Sequence, residues 1–267
     1  MLKNFKANPL GLIILYFISM LIGVLVGMVL FGFIGASKFD LSLSKVLNII
    51  SYTEADLIKD GSLLVPLNEY NCYYFMQTWL NFSQYAVMAL ACGLFAIPYF
   101  KEDITVIKKD KKRFLIMLGV AIVAVAFMLG ASALIGLLVD KLSTDTISSQ
   151  NQNLIVGMIN HGNKFVVFIT IFFLAPVVEE LVYRKSIFKL LKNYKPWLSI
   201  LVSALLFALP HMLSTEESFI IWLLLFLNYL LSGLTIALVY KYSNNNIYIS
   251  IACHMLNNLV SFLLIVL

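Results

Sequence analysis

Long stretches without charged residues constrain the fold of this chain more than any other feature. A helix needs about 20 mostly apolar residues to cross the hydrocarbon layer of a membrane. Of the 267 residues, 61% are hydrophobic and only 12% are charged. The apolar runs are continuous and lack period-two alternation, which argues against a lipid-facing barrel of strands. Seven such runs cover residues 10–34, 74–100, 114–139, 165–181, 197–213, 219–240 and 247–267.

These runs predict an all-α fold, a polytopic transmembrane helical bundle of about seven to eight spans. The eighth segment would be an amphipathic helix within 41–70 or 144–160. We find no internal repeat or long linker, so residues 1–267 are predicted to form a single membrane domain. The sequence therefore predicts an integral membrane protein whose surroundings are the lipid bilayer.

Basic residues indicate how the helices are oriented. Most Lys and Arg lie in KEDITVIKKDKKR (101–113) and RKSIFKLLKNYK (184–195). Basic loops of membrane proteins stay in the cytoplasm. Alternating the spans then places the N-terminus in the cytoplasm and the loops near 37–73, 140–164 and 214–218 on the other side. Topology explains the net charge of +5, and we expect no nucleic-acid partner.

Two adjacent glutamates follow an uncharged stretch in PVVEELVYRK (176–185). An ionisable group at the bilayer centre costs about 2.5–3.5 kcal/mol, so each one is a candidate functional residue. On an α-helix, Glu180 meets Arg184 one turn on, whereas Glu179 points to a neighbouring face. The pair would neutralise Glu180 and leave Glu179 free. Alternatively, both glutamates mark a helix end at the cytoplasmic interface.

Two histidines and an asparagine lie on the later apolar runs. His211 ends the run that contains LLFALPHML, and His254 and Asn258 are four residues apart in IACHMLNNLV. That spacing puts His254 and Asn258 on one face of the last helix. As structural alternatives, His211 is a satisfied interfacial residue and the His254 and Asn258 pair supplies hydrogen bonds between helices.

The glutamate, the two histidines and the asparagine together are suited to a hydrolytic reaction. A buried glutamate can act as a general base, and a nearby imidazole can orient the same water. A second histidine and an amide can stabilise an oxyanion. This inventory is typical of water-dependent cleavage of an acyl bond, without a nucleophile from the protein.

Three short motifs in this part of the chain carry a family resemblance. Glu179-Glu180-Leu-Val-Tyr-Arg184 resembles the EExxxR motif of the CAAX-protease and bacteriocin-processing (CPBP, or Abi) family of intramembrane proteases. Phe207-Ala-Leu-Pro-His211 resembles its FxxxH motif, and His254-Met-Leu-Asn-Asn258 its HxxxN motif. The motifs occur in the family's order. The resemblance covers roughly 165–267, which would hold the protease-like motif core.

The resemblance implies a role for each matching residue. Glu179 would activate the hydrolytic water with His211, and His254 with Asn258 would form the oxyanion-stabilising side. Glu180 and Arg184 would support this arrangement. The implied protein is an intramembrane endopeptidase that cleaves membrane-embedded, membrane-associated or lipidated peptides and proteins, including CAAX proteins and bacteriocins. The short chain, rich in Ile, Leu, Asn and Lys, favours the bacterial plasma membrane, with a eukaryotic ER protease as the alternative.

The sequence leaves alternatives open for both the cofactor and the activity. Members of the family have been described both as metalloproteases and as glutamate-dependent enzymes. Glu179, His211 and His254 would be the ligands of a zinc ion, but no HExxH pair is present, and we favour a mechanism without a cofactor. Two other functions remain open: a proton-coupled transporter, and a non-catalytic bacteriocin-immunity or membrane-partner protein.

Overall fold

The described chain is built almost entirely from helices. The computed structural model describes residues 7–59, 62–143, 148–213, 215 and 217–267. Within these residues the strands are β1 (Ile58–Lys59) and β2 (Ser62–Leu63), which pair antiparallel. The predicted all-α class is confirmed. The helices are α1 (Pro9–Phe39), α2 (Leu43–Ile49), α3 (Glu54–Leu57), α4 (Leu67–Phe95), α5 (Ile97–Lys109), α6 (Lys111–Leu142), α7 (Gln150–His161), α8 (Lys164–Leu190), α9 (Pro196–Ala208, continued by a 3₁₀ turn Leu209–Met212), α10 (Phe219–Tyr242) and α11 (Ile247–Val266).

Fewer helices than predicted meet the requirements for a membrane span. Among the described residues, α1, α6, α8, α10 and α11 are long and apolar enough, and the bent pair α4 and α5 would be a sixth span. The fifth predicted run, 197–213, forms α9 and its 3₁₀ turn. This helix is shorter than the roughly 20 residues that a span requires. The expected seven to eight spans are thus five or six by length and composition.

The predicted run 74–100 is broken near its end. The axes of α4 and α5 meet at 68°, and Ala96 between them leaves the helical region with φ −86° and ψ 1°. Pro98 lacks an N–H, and its ring would clash with the carbonyl of Leu94 in a continuous helix. A proline two residues after the break therefore accounts for the bend.

The loops contain the predicted extra helix segments. Residues 41–70 hold α2 and α3, and residues 144–160 hold most of α7. Residues 144–147 lie outside the described part of the chain. The predicted cytoplasmic N-terminus falls on residues 1–6, which also lie outside it.

Helix α8 lies at the centre of the bundle. Of its most apolar window, 56% is buried, against 22% to 33% in α1, α6, α10 and α11. Val178, Leu181 and Val182 belong to a buried cluster that also receives side chains from α1, α4, α9, α10 and α11. The sequence carries its two adjacent glutamates on this helix, so the fold surrounds them with protein.

Small residues let α1 approach α4 closely. Gly23 and Gly27 are buried where α1 meets α4. A Cβ added at Gly23 would lie 2.6 Å from the Cα of Gln84. Membrane helices associate largely through such close packing of small residues.

We expect Gly23→Ala to destabilise the protein by about 1–3 kcal/mol, because the new methyl group overpacks a contact with backbone. Gly130→Ala is the matched control, since a Cβ there meets nothing within 4 Å. Thermal unfolding of the detergent-solubilised variants measures the difference. Equal midpoints for the two variants would contradict this account of the interface between α1 and α4.

Candidate active site

The backbone of α8 departs from α-helical geometry on both sides of its short stretch Ala175–Glu179. The segments Ile169–Leu174 and Glu180–Ser186 are π-helical. Such turns are rare and are often found at functional sites. The second one begins at Glu180, so the two glutamates lie on either side of a change in helical geometry.

Pro176 leaves a backbone carbonyl of α8 without its usual partner. The N–H of Ala175 donates to the carbonyl of Thr170, and Pro176 has no N–H to donate to the carbonyl of Ile171. The side-chain amide of Asn258 supplies this bond, with Nδ2 2.7 Å from the oxygen of Ile171. Asn258 thereby fastens α11 to α8 near the glutamates.

His254 lies between the carboxylates of Glu179 and Glu180. Its Nδ1 is 3.0 Å from Oε1 of Glu180, and its Nε2 is 3.9 Å from Oε2 of Glu179. A carboxylate only accepts, so Nδ1 carries the hydrogen of the shorter contact. In the neutral imidazole, Nε2 is then an acceptor that faces Glu179. The predicted separation of the two glutamates is only partial, because both approach one imidazole from different sides.

Arg184 pairs with Glu180, as the spacing of the motif predicts. Its Nε lies 3.2 Å from Oε2 of Glu180, and both side chains are fully buried. These two atoms are not aligned for a hydrogen bond, so their attraction is mainly that of opposite charges. Arg184 also donates from Nη2 to the carbonyl of Gly233 at 3.3 Å, and its guanidinium stacks 4.7 Å from the ring centre of Phe207.

His211 is held by the helix that carries it and by α10. Its Nδ1 lies 2.8 Å from the carbonyl oxygen of Phe207, which identifies Nδ1 as the donor. Its ring stacks on Tyr229 at 4.6 Å between ring centres. Nε2 is thus left for other partners.

One cavity of about 220 Å³ brings these side chains together. Glu179, His211, His254 and Asn258 all line it, whereas Glu180 and Arg184 are packed behind it. The predicted site residues therefore divide into a group at the cavity and a supporting pair. The cavity is also lined by six side-chain amides: Asn81, Asn151, Gln152, Asn228, Asn257 and Asn258.

The zinc alternative finds no support in the donor geometry. Within the described residues, no three His, Cys, Asp or Glu side chains are grouped so that they could hold a metal ion. This includes the predicted set Glu179, His211 and His254. These residues do not fit a zinc site as they are arranged, and we derive no step through a metal.

Sequence reasoning missed Tyr85 and Asn81 on α4. The hydroxyl of Tyr85 donates to Oε1 of Glu179 at 2.7 Å, and Asn81 lines the cavity one turn before it. The signal in the sequence is weak: Asn81 and Tyr85 both lie in NFSQYAV, one of several stretches with polar residues in the run 74–100. Nothing in the sequence shows that α4 packs against α8.

One known protein family matches the part of the chain that forms this site. Residues 161–260 match the family model described as type II CAAX prenyl endopeptidase Rce1-like. The resemblance to CAAX-type intramembrane proteases is confirmed. The matched segment contains all six predicted site residues, and the match indicates an intramembrane endopeptidase. Together with its apolar helices, it identifies the chain as an integral membrane protein. Neither a curated protein nor a solved structure matches the chain.

Tyr85 lies outside the matched segment, yet it holds the carboxylate of Glu179. We expect Tyr85→Phe to lower kcat roughly tenfold or more, since hydrogen bonds to charged groups contribute about 1.5–3 kcal/mol. The measurement is the cleavage rate at matched protein levels in the membrane. Tyr99→Phe is the control, because it removes another buried hydroxyl, which donates to Ala7 at 2.8 Å away from the cavity. Equal rates for the two variants would contradict a positioning role for Tyr85.

Proposed function

We propose that this protein is an intramembrane endopeptidase in which Glu179 activates a water molecule for attack on a peptide bond. The observation that carries the proposal is the facing pair of acceptors at the cavity. Oε2 of Glu179 and Nε2 of His254 are 3.9 Å apart, too far for a direct hydrogen bond. Two hydrogen bonds of about 2.8 Å each would let a single water contact both atoms.

The contacts behind the cavity support this water site. Glu180 accepts the Nδ1 hydrogen of His254, so the neutral imidazole presents an unprotonated Nε2. Tyr85 occupies Oε1 of Glu179, so Oε2 is the oxygen left for water. Arg184 balances the charge of Glu180. The contacts of Glu180 and Tyr85 therefore leave Nε2 of His254 and Oε2 of Glu179 as the two atoms available to the water.

The reaction follows ordinary general base catalysis. As the water oxygen bonds to the carbonyl carbon, one of its protons passes to Oε2 of Glu179. The tetrahedral intermediate then collapses, the C–N bond breaks, and Glu179 returns the proton to the leaving nitrogen. One product ends in a carboxyl group and the other in an amine, and the carboxylate of Glu179 is regenerated.

The roles of the other side chains differ from those that the family resemblance implies. The hydrogen of His254 is engaged by Glu180, so neutral His254 suits the water better than the oxyanion. Asn258 gives one amide hydrogen to Ile171, and its other one is left for an oxyanion. His211 lines the same cavity, and because its Nδ1 is engaged by the carbonyl of Phe207, its Nε2 is the nitrogen left to contact the substrate or the water.

Substitution of the reacting pair tests the proposal. We expect Glu179→Gln and His254→Ala to abolish one fragment among the membrane and secreted peptides that wild-type cells produce. Glu102→Gln is the control, because it removes a half-exposed carboxylate that pairs with Lys189 at the far side of α8. The comparison uses peptide mass spectrometry at matched protein levels. If all profiles are identical while a wild-type phenotype persists, the protein is an immunity or membrane-partner protein instead.

A chelator distinguishes the proposed mechanism from a metal-dependent one. We expect cleavage to persist after the purified protein is treated with 1,10-phenanthroline and desalted, since no ligand set is grouped in the described residues. The measurement is the initial rate before and after treatment. Loss of cleavage that added zinc restores would contradict the mechanism and leave the peptidase assignment in place.

A further inference from the structure

A second cavity lies where two membrane spans end on the same side of the bundle. It has a volume of about 310 Å³, and among the described residues its lining has no member in common with that of the catalytic cavity. The last turns of α8 and α10 both line it, through Lys189 and Lys241. These helices end at Leu190 and Tyr242. The cavity is therefore level with the ends of two spans, where hydrocarbon gives way to lipid headgroups.

Aromatic side chains around this cavity mark the same level. Tyr194 lines it, and Trp197 and Tyr242 each follow a lining residue directly in sequence. These three side chains are 58% to 67% exposed. Trp and Tyr are enriched where the hydrocarbon meets the headgroups. The exposed rings thus place the cavity at a membrane surface.

Positive charge exceeds negative charge in this cavity. Its ionisable lining residues are four lysines and two acids, namely Lys185, Lys189, Lys192, Lys241, Glu102 and Asp103. Lys185 pairs with Asp103, and Lys189 lies 2.8 Å from Glu102. Lys192 and Lys241 make no hydrogen bond or ion pair with another described residue. Two ammonium groups at the cavity are therefore left without a counter-charge.

The buried acid of the cavity is committed to other partners. Asp103 and Lys185 are both buried. While Oδ1 of Asp103 pairs with Lys185, its Oδ2 accepts the backbone N–H of Ile247 at 2.8 Å. Asn246 also donates from Nδ2 to the carbonyl of Asp103 at 3.1 Å. These contacts fix Asp103 between α5, α8 and α11, so its charge stays with Lys185 rather than with the two unpaired lysines.

The other polar residues of the cavity suit an anion that only accepts hydrogen bonds. Asn244 and Asn245, in the connection between α10 and α11, line it. Ammonium groups donate up to three hydrogen bonds each, and side-chain amides donate two. Phosphate oxygens accept such bonds, and those from cations are the stronger ones. The volume of the cavity is at the lower end of the roughly 300–1,000 Å³ of small-molecule sites.

We propose that this cavity binds the phosphate headgroup of an anionic phospholipid, and that Lys192 and Lys241 are the cations that contact the phosphate. A free phosphate offers the same chemistry. The position at the membrane surface favours the lipid, because a basic pocket between spanning helices meets anionic headgroups there at high concentration. The inference does not depend on the proposed peptidase function, since the catalytic cavity is a separate one.

Thermal unfolding of the detergent-solubilised protein tests the ligand. We expect dioleoylphosphatidylglycerol to raise the unfolding midpoint until the effect saturates, because a ligand of the native state stabilises it. Dioleoylphosphatidylcholine has the same acyl chains without net charge and should leave the midpoint unchanged. Sodium phosphate at the same concentration separates the lipid from a free anion. No rise with phosphatidylglycerol, or an equal rise with phosphatidylcholine or sodium phosphate, would overturn the proposal.

Charge removal tests the two lysines. We expect Lys192→Gln combined with Lys241→Gln to increase the phosphatidylglycerol concentration needed for half of the effect at least tenfold. Lys108→Gln combined with Lys109→Gln is the matched control, because it removes two exposed lysines of α5 that do not line the cavity. Equal changes in the two double variants would show a general attraction to a basic surface and would overturn the site.

A readout on the unaltered protein shows where the lipid binds. The rate at which an N-hydroxysuccinimide ester acetylates each lysine is followed by mass spectrometry, with phosphatidylglycerol or phosphatidylcholine in the micelles. We expect phosphatidylglycerol to slow the acetylation of Lys192 and Lys241 at least threefold and to leave Lys108 unchanged. Equal slowing at all three lysines, or no slowing, would contradict the assignment. The experiment needs neither turnover nor a substituted protein, so its outcome is independent of the test of Glu179.

Discussion

A carboxylate and a guanidinium that are both removed from solvent must neutralise each other, because an unpaired charge inside a membrane protein is strongly unfavourable. Glu180 and Arg184 meet this requirement from one helix, one turn apart. Their pairing leaves the second oxygen of Glu180 to hold His254. The orientation of His254 in turn decides which of its nitrogens faces Glu179. The arrangement at the cavity thus depends on an ion pair that does not line it.

The backbone of α8 serves the same arrangement. A regular α-helix would satisfy the Ile171 carbonyl internally, but the local geometry and Pro176 leave it free, and Asn258 donates to it. His254 is one turn away from Asn258 on α11, so this bond also sets the distance between His254 and the glutamates. An asparagine that resembles a family's catalytic amide therefore has a clear structural task as well. Because the side chain of Asn258 has two amide hydrogens, one can bind the Ile171 carbonyl while the other contacts an oxyanion.

Some of this arrangement could be predicted from the sequence because it depends on local spacing. The pairing of Glu180 with Arg184 follows from residues one turn apart, and the shared face of His254 and Asn258 follows from the same rule. The helical class follows from the length of the apolar runs. Convergence of Glu179, His211 and His254 on one cavity could be expected only through the family resemblance, since they lie on three different helices.

The rest depends on contacts that spacing does not encode. Tyr85 reaches Glu179 across 94 positions of sequence, and no local rule pairs them. The π-helical segment that begins at Glu180, and the approach of both glutamates to His254, likewise have no signal in the local spacing. Five or six helices have the length and composition of a span, against the seven to eight predicted, because α9 is short and the run 74–100 is bent at Ala96.

A structure of the Glu179→Gln variant with a bound substrate peptide is the most direct measurement of the central claim, that Glu179 and His254 hold the water that attacks the substrate. The account predicts the scissile carbonyl carbon in the cavity, about 3–3.5 Å from a water that contacts residues 179 and 254. A peptide bound in another groove, or one whose carbonyl is separated from that water by a protein side chain, would contradict it.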